Sequence, residues 1–276
     1  MCYYCHTMNT CFENQLSYLG VTVYFGNNSD VSEREIHTYH EVMFYMDDDT
    51  LLLTESGQQH IKTNTLLIIP KETYHFFRLA ENKSFLRMKI SLPDSFVTST
   101  PLKTLFSELK IIEDPAEHIL SLLDKLCRIT GDHIDETQSF YAYSAVLFLL
   151  SELNAYETSL PQIKRKWEHH IITHIVSYIS NHLEQDLTVA TLAREMNYSP
   201  SCITHCFKKE LGISVHQYIT MRRLIRARNL IQIGDKISNL PAACGYRDYS
   251  SFYKAYTKFF GYPPSQEKTF IDDKSY

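Results

Sequence analysis

The stretch Thr188-Val189-Ala190-Thr191-Leu192-Ala193-Arg194-Glu195-Met196-Asn197-Tyr198-Ser199-Pro200-Ser201-Cys202-Ile203-Thr204-His205-Cys206-Phe207-Lys208-Lys209-Glu210-Leu211-Gly212 contains two helix starts. Thr188 is placed to cap the first, with Val189, Leu192, Ala193 and Met196 at helical spacing. Asn197-Tyr198 breaks the pattern, and asparagine tolerates a left-handed turn well. Ser199 suits an N-cap, and Pro200 sits at the first helical position, where its missing N–H costs nothing. The second helix puts Ile203, Cys206, Phe207 and Leu211 on one face, with Ser201, Thr204, His205 and Lys208 on the other. Two short helices joined by a tight turn form a helix-turn-helix pattern, whose second helix enters the major groove of double-stranded DNA. A helical hairpin with a solvated face is the competing reading.

The unit recurs. Ile237, Leu240 and Ala243 repeat the first helix, and Gly245-Tyr246 repeats Asn197-Tyr198. Phe252, Tyr256, Phe259 and Phe260 repeat the inward face of the second helix, which ends at Gly261 as its counterpart ends at Gly212. Between the copies Ser214 can cap a long helix reaching about Ile233 and carrying Arg222, Arg223, Arg226 and Arg228. At about 1.5 Å per residue that helix spans on the order of 30 Å. Successive major-groove faces on one side of DNA lie ~34 Å apart, so one chain can present two recognition helices to adjacent grooves.

Residues 187–268 resemble the DNA-binding domain of AraC-type bacterial transcription regulators. The resemblance rests on Leu192-Ala193, Ser199-Pro200, the run Phe207 to Gly212, Tyr218, Arg223, Ala227, Gly245-Tyr246, Phe252, Gly261 and Pro264. It departs from the family at three places. Leu240-Pro241 replaces an Ile-Ala pair, and proline confines the helix to a late start near Ser238 or a kink. Tyr256-Thr257 replaces a Phe-Lys pair, and Glu267-Lys268 replaces an aromatic-Arg pair. These changes weaken the second unit's claim on DNA relative to the first.

Charge is divided along the chain. The net charge is −5, yet residues 1–165 carry 13 Lys+Arg against 22 Asp+Glu, while residues 166–276 carry 14 against 10. Between 199 and 233 there are six basic residues and one acidic. The basic footprint is local, and the other half repels phosphate. No secretory signal and no membrane-spanning apolar run is expected, so a cytoplasmic, nucleoid-associated setting and no membrane partner follow. Seven cysteines make no disulfide framework. Cys2-Tyr3-Tyr4-Cys5-His6 matches a haem-attachment pattern but starts one residue after Met1, and Cys11 lies nearby. No cofactor is assigned. Cys202, His205 and Cys206 have helical ligand spacing, but packing plus DNA contact is preferred to a shared metal.

The N-terminal half reads as short strands from Gln15 to about Leu92. Leu19, Val21, Val23 and Phe25 alternate. Glu41 to Met46 and Leu51 to Thr54 follow, then a turn at Ser56-Gly57, a buried run Leu66 to Pro70, Tyr74 to Leu79, and Phe85 to Ile90. The series suits a small barrel or sandwich. His37, His40-Glu41, Leu66 to Pro70 and His75 resemble the cupin-like sensor half of AraC-type regulators. That resemblance implies a small effector, often a sugar, at the barrel mouth, with His37, Tyr39, Glu41 and His75 as its contacts. The same residue types occur at metal-dependent cupin sites. His40 and Glu41, however, are adjacent and face opposite sides of a strand, so no metal and no catalytic residue is assigned. Ordinary strand-end histidines are the simplest alternative.

From Pro101 the period becomes helical. Leu102, Leu105, Phe106 and Leu109 form one stripe. Ile119, Leu122, Leu123, Leu126 and Ile129 form a second, ended by Gly131. Tyr143, Val146, Leu147, Leu150 and Leu153, within Ser139 to Ala155, form a third. The family resemblance implies a homodimer seam on these helices. Pro161 and Lys164-Arg165-Lys166 mark a linker, and Trp167 to Leu183 opens the second domain.

The expected fold is α+β: a cupin-like β-barrel with following helices over 1–160, then an all-α double helix-turn-helix domain over 161–276. The expected function is a bacterial transcription regulator and not an enzyme, an activator working with RNA polymerase and controlled by a small effector. The alternatives are control by a protein partner, as in stress and virulence regulators, and a metal-dependent cupin enzyme with an appended DNA-binding domain. Ser199, Ser201, Thr204 and His205 are placed for DNA, with Lys208 and Lys209 for phosphates. Ser250, Ser251, Tyr253 and Lys254 hold the corresponding positions in the second unit. Arg223 is read as a structural pair for an acidic neighbour.

Overall fold

The computed structural model describes residues 14–27, 35–46, 50–79, 86–127, 129, 135–159 and 171–267. Cys2 to His6, Cys11, Gly131, Pro161, Lys164-Arg165-Lys166, Trp167 and Lys268 lie outside them. The chain divides into two compact units, one of residues 1–53 with 58–165, the other of 54–57 with 166–276. The architecture is α+β, with strands first and helices after.

In the first unit, β1 (Asn14–Tyr18), β2 (Val21–Asn27), β3 (His40–Tyr45), β6 (Thr65–Ile69), β8 (Leu86–Leu92) and β9 (Lys110–Ile112) form a sheet in the order β1-β2-β8-β3-β6-β9. β4 (Thr50–Thr54), β5 (Gly57–Ile61) and β7 (His75–Leu79) form a second sheet in the order β5-β4-β7. Every residue of β3 and of β6 is buried, because each strand serves two cores. Val42, Phe44, Leu66, Ile68, Met88 and Ile90 pack with the helices on the outer face. Met43, Tyr45, Leu67 and Ile69 point the other way and pack with Leu52, Ile61 and Phe77 of the second sheet. A continuous apolar run such as Leu66 to Ile69 is what a strand covered on both faces requires.

Leu19 does not continue a strand. It forms a two-residue hairpin with Gly20 at φ 49° and 76°, between paired Tyr18 and Val21. Both central residues of that tight turn need positive φ, which turns Leu19 outward.

The outer helices are α1 (Asp94–Thr98), α2 (Glu117–Cys127) and α3 (Glu136–Ser159). The helical stripe read at Leu102 to Leu109 is instead a run of turns leading into β9. Leu102, Leu105 and Phe106 are nonetheless buried. In α3 the inward face is Ala142, Val146, Leu149, Leu150 and Leu153, whereas Leu147 is exposed with Phe140, Tyr141 and Phe148.

The second unit is helical: α4 (Ile171–Asn181), α5 (Val189–Met196), α6 (Pro200–Glu210), α7 (Val215–Gln232), a 3-10 turn at Ile237–Asn239, α8 (Leu240–Ala243) and α9 (Tyr249–Phe260). Among the described residues no helix is long and apolar enough to cross a membrane. α7 has a full capping box, with Ser214 and Gln217 each bonding the other's backbone N–H. Its N-terminal half buries Val215, Tyr218 and Ile219, and the Tyr218 ring meets Phe207 edge-on. Its C-terminal half places Leu224, Ala227 and Ile231 in one cluster with Leu240, Cys244, Phe252 and Tyr256. Pro241 lies in the first turn of α8, so the helix starts late, where the ring removes no needed hydrogen bond. Phe259 is exposed, and Tyr256 and Phe252 carry the inward face.

Candidate nucleic-acid interface and a buried polar cluster

Each recognition helix is started by a side-chain cap and entered through a left-handed joint. Thr188 Oγ1 accepts from the Thr191 N–H at 3.0 Å to begin α5. Asn197, at φ 58° and ψ 42°, ends it. Ser199 Oγ then accepts from the Cys202 N–H at 3.1 Å to begin α6. The inward face of α6 is Ile203 and Phe207, followed by Leu211. Ser201, Thr204, His205, Lys208 and Lys209 are all exposed. Ser199 accepts in the cap and keeps its O–H to donate, whereas Thr204 donates its own to the Pro200 carbonyl at 2.9 Å and is left with acceptor lone pairs.

The second unit repeats the plan with a different charge. Gly245, at φ 73°, makes the joint that Asn197 makes in the first. Asp248 then caps α9, accepting from the Ser251 N–H at 2.7 Å and from the Ser251 hydroxyl at 2.9 Å. These bonds hold the Asp248 carboxyl below its ordinary range. A carboxylate at the N-terminus of α9 occupies the place where a helix otherwise attracts phosphate. Ser250, Ser251, Tyr253 and Lys254 are exposed, but Ser251 is tied to Asp248. Sequence reasoning missed Asp248, although Asp three residues before Ser251 is a local cap signal.

The linker-helix arginines turn out to hold the unit together. Arg223 does not pair with an acid. Its Nε donates to the Leu183 carbonyl at 2.9 Å and its Nη2 to the Gln185 carbonyl at 2.6 Å, closing the turn after α4. Gly245 lies against it: a Cβ there would stand 2.3 Å from the Leu183 carbonyl oxygen and 2.6 Å from Arg223 Nη2. Arg226 Nη1 pairs with Glu184 Oε2 at 3.1 Å. Arg228 pairs with Glu267, which is fully buried and also accepts from the Tyr256 hydroxyl at 2.5 Å. The departures at Tyr256 and Glu267 are therefore partners of one another. Burial and the bond to Glu267 raise the Tyr256 phenol far above its usual value. Cys202 and Cys206 are half-buried along α6, and no ligand cluster includes them among the described residues.

In the first unit, a group of polar side chains gathers at one end of β3. Glu41 shares the face of Met43 and Tyr45, and His75 that of Phe77. Lys89 lies opposite Met43 in register, which brings it to the same face. His37 precedes β3, and its ring stacks on Tyr39 with centroids 4.0 Å apart. Glu35, which sequence reasoning did not single out, reaches the group through an isolated bridge to His75. One ligand atom from each of Glu35, His37, Glu41 and His75 lies within 4.8 Å of the others. Lys89 Nζ stands 2.5 Å from Glu35 Oε2 and 3.4 Å from Glu41 Oε2. Burial, the largest single influence, would raise the Glu41 carboxyl, but the Lys89 ammonium together with His37 and His75 outweighs it and holds the group at about 2. Burial lowers the His75 imidazole, so that ring is neutral at pH 7. Burial likewise raises the Tyr39 phenol. His40, one residue from Glu41, faces away and meets Asp94 Oδ1 at 3.0 Å.

Residues 192–269 match the family described as "Helix-turn-helix domain". The "Uncharacterized HTH-type transcriptional regulator YobQ" of Bacillus subtilis is 28% identical over 246 residues, covering 86% of this chain and 90% of that protein. The "Lactose operon transcription activator" of Staphylococcus xylosus is 34% identical over 90 residues, and the match spans 32% of each chain. Among solved structures, ToxT from Vibrio cholerae aligns over 92% of this chain and 98% of its own at 11% identity, with a TM-score of 0.42. The two capped helices lie in and beside the matched stretch, so residues 192–269 form an AraC-type helix-turn-helix domain, in a chain similar over most of its length to a transcription regulator.

Proposed function

We propose that the first helix-turn-helix unit reads base edges and the second contributes mainly to positioning. The observation that carries this reading is the exposed face of α6, where Ser201, Thr204 and His205 stand beside Lys208 and Lys209 without an acidic cap. Thr204 offers acceptor lone pairs to a base, and the two lysines offer charge to phosphates. Ser199 serves as cap and backbone neighbour. Ser250, Tyr253 and Lys254 meet the sugar-phosphate strand beside a carboxylate-capped helix.

We expect Thr204→Ala to cost about 1–3 kcal/mol on the cognate operator and little on scrambled DNA. Lys208→Ala should weaken both alike and flatten the salt dependence of log K by about one unit. Fluorescence anisotropy across a salt series separates the two. Equal losses on cognate and scrambled DNA for Thr204→Ala remove it from base readout.

In this reading the first unit senses a small effector through His37, Tyr39, Glu41 and His75, and the chain acts as an activator with RNA polymerase, in the cytoplasm at the nucleoid. The support is a polar cluster at one end of an otherwise apolar inner face. The similar protein of Staphylococcus xylosus is named as the activator of a lactose operon, which supports this reading. A second reading, control by a protein partner, draws on the filling of that inner face by Met43, Tyr45, Leu52, Ile61, Leu67, Ile69 and Phe77. A homodimer through α3 is supported by its exposed Phe140, Tyr141, Leu147 and Phe148, a stripe at helical spacing with no cover in the monomer. Phe148→Lys should shift sedimentation from dimer to monomer at micromolar concentration. Unchanged sedimentation excludes that face.

A further inference from the structure

We propose that Glu35, His37, Glu41 and His75 form a site for one divalent transition-metal ion, and that Lys89 is the internal cation the metal displaces. This deepens the effector reading, on which it rests for the place of the site and not for its chemistry.

The tautomers come first. His37 Nδ1 meets the Tyr39 carbonyl at 2.7 Å, and His75 Nδ1 meets the Thr73 carbonyl at 3.0 Å. A carbonyl only accepts, so each ring carries its proton on Nδ1. That leaves both Nε2 atoms directed into the cluster. A backbone carbonyl on the far nitrogen is how proteins orient an imidazole that ligates a metal.

The buried polar atoms of the cluster are poorly served. His37 Nε2, His75 Nε2 and both Glu41 carboxylate oxygens are buried without a hydrogen-bond partner. His37 Nε2 stands 2.7 Å from Glu41 Oε2, and His75 Nε2 3.9 Å from Glu35 Oε2. The first contact is an ion pair when His37 carries a second proton, whose place a metal ion takes; the second leaves His75 Nε2 buried without a donor, which is costly unless a cation stands beside it. Lys89 relieves only the carboxylates.

Spacing and charge agree. Metal–nitrogen and metal–oxygen bonds of about 2.0–2.2 Å place two ligand atoms of one ion at most ~4.4 Å apart. The observed spread within 4.8 Å needs only small side-chain adjustments. With both imidazoles ligating through Nε2, two carboxylates against one ammonium leave the cluster at −1. A divalent ion in place of the ammonium brings it to zero. Two imidazoles with carboxylates favour Mn, Fe, Co, Ni or Zn over Mg or Ca.

Co²⁺ added to the EDTA-treated full chain is the probe, followed by calorimetry and visible absorption. We expect one saturable equivalent. Glu41→Gln should weaken binding by about tenfold or more. Lys89→Met should tighten it by a similar factor, because the competing cation is gone. That gain runs opposite to any loss caused by misfolding, so it keeps the test sharp if a ligand variant fails to fold. The proposal is overturned by a folded chain that takes up no Co²⁺, by uptake that Glu41→Gln leaves unchanged, or by Lys89→Met failing to bind more tightly. A panel of sugars titrated into the metal-free chain separates the two readings. An organic hit without Co²⁺ uptake keeps the effector and removes the metal. Co²⁺ uptake with the predicted variant effects and no organic hit does the reverse.

Discussion

Gly245→Ala should destabilise the C-terminal unit by about 3–5 kcal/mol. A non-glycine residue in the left-handed region costs about 1–2 kcal/mol in backbone strain. The remainder comes from displacement. The new methyl falls on the Leu183 carbonyl and the Arg223 guanidinium, and Arg223 must leave two carbonyls to make room. Hydrogen bonds made by a charged group are worth roughly 1.5–3 kcal/mol. Gly234→Ala is the control. Its φ of 95° imposes comparable strain, yet a Cβ there meets nothing within 4 Å. Urea unfolding of the full chain, read by hydrogen exchange at the amides of α7, measures both. Equal losses at the two glycines would show that Arg223 yields freely and that the close approach at Gly245 has no energetic weight.

Glu267→Ala should cost a similar amount, about 3–5 kcal/mol, since it leaves Arg228 half of a broken buried pair. It also leaves the Tyr256 hydroxyl without its acceptor in the core. Glu267→Gln keeps an acceptor for Tyr256 and should cost roughly half as much. Replacing both charges with apolar groups, as in Arg228→Met with Glu267→Leu, should recover the part of the loss due to the broken pair, while the Tyr256 hydroxyl still lacks its acceptor. The same exchange measurement gives the double-mutant cycle. Additive losses would mean that Arg228 and Glu267 do not act as a pair. A Glu267→Ala variant within about 1 kcal/mol of the parent would rule out the network as a source of stability.

What the sequence disclosed depended on how far each cause lies along the chain. The recognition helices were legible because their signals are local: Thr188, Ser199 and Pro200 act within three residues of themselves. Pro241 likewise announced a late start for α8. Arg223 was legible as structural but not in its partners, since carbonyls 40 and 38 residues away carry no side-chain signature. Glu267 read as a departure because its partners, Arg228 and Tyr256, meet it only after folding. Leu102 to Leu109 have helical spacing, but buried turns use the same apolar residues, and periodicity over eight residues does not separate the two.

The polar cluster was half legible. Strand parity brings Glu41 and His75 to the inner faces, and it rightly sends His40 outward. It does not reach Glu35, which lies in an irregular segment and joins through one bridge. Lys89 needed the pairing of β3 with β8, which no single strand reveals. Leu19 misled for the opposite reason, as a leucine in a positive-φ hairpin carries no turn signature.

The shared helix α7 makes the two helix-turn-helix units one inheritance. Its first half completes the core over Phe207, and its second half completes the core over Phe252. A chain cut between the units would leave one of them without a wall, so neither half is a transplantable module. Recombination that exchanges one recognition helix for another can succeed only at α6 or α9 themselves, where the outward residues change and the inward ones stay. Specificity in such a domain drifts by surface substitution, while the spacing between its two units is held by the fold.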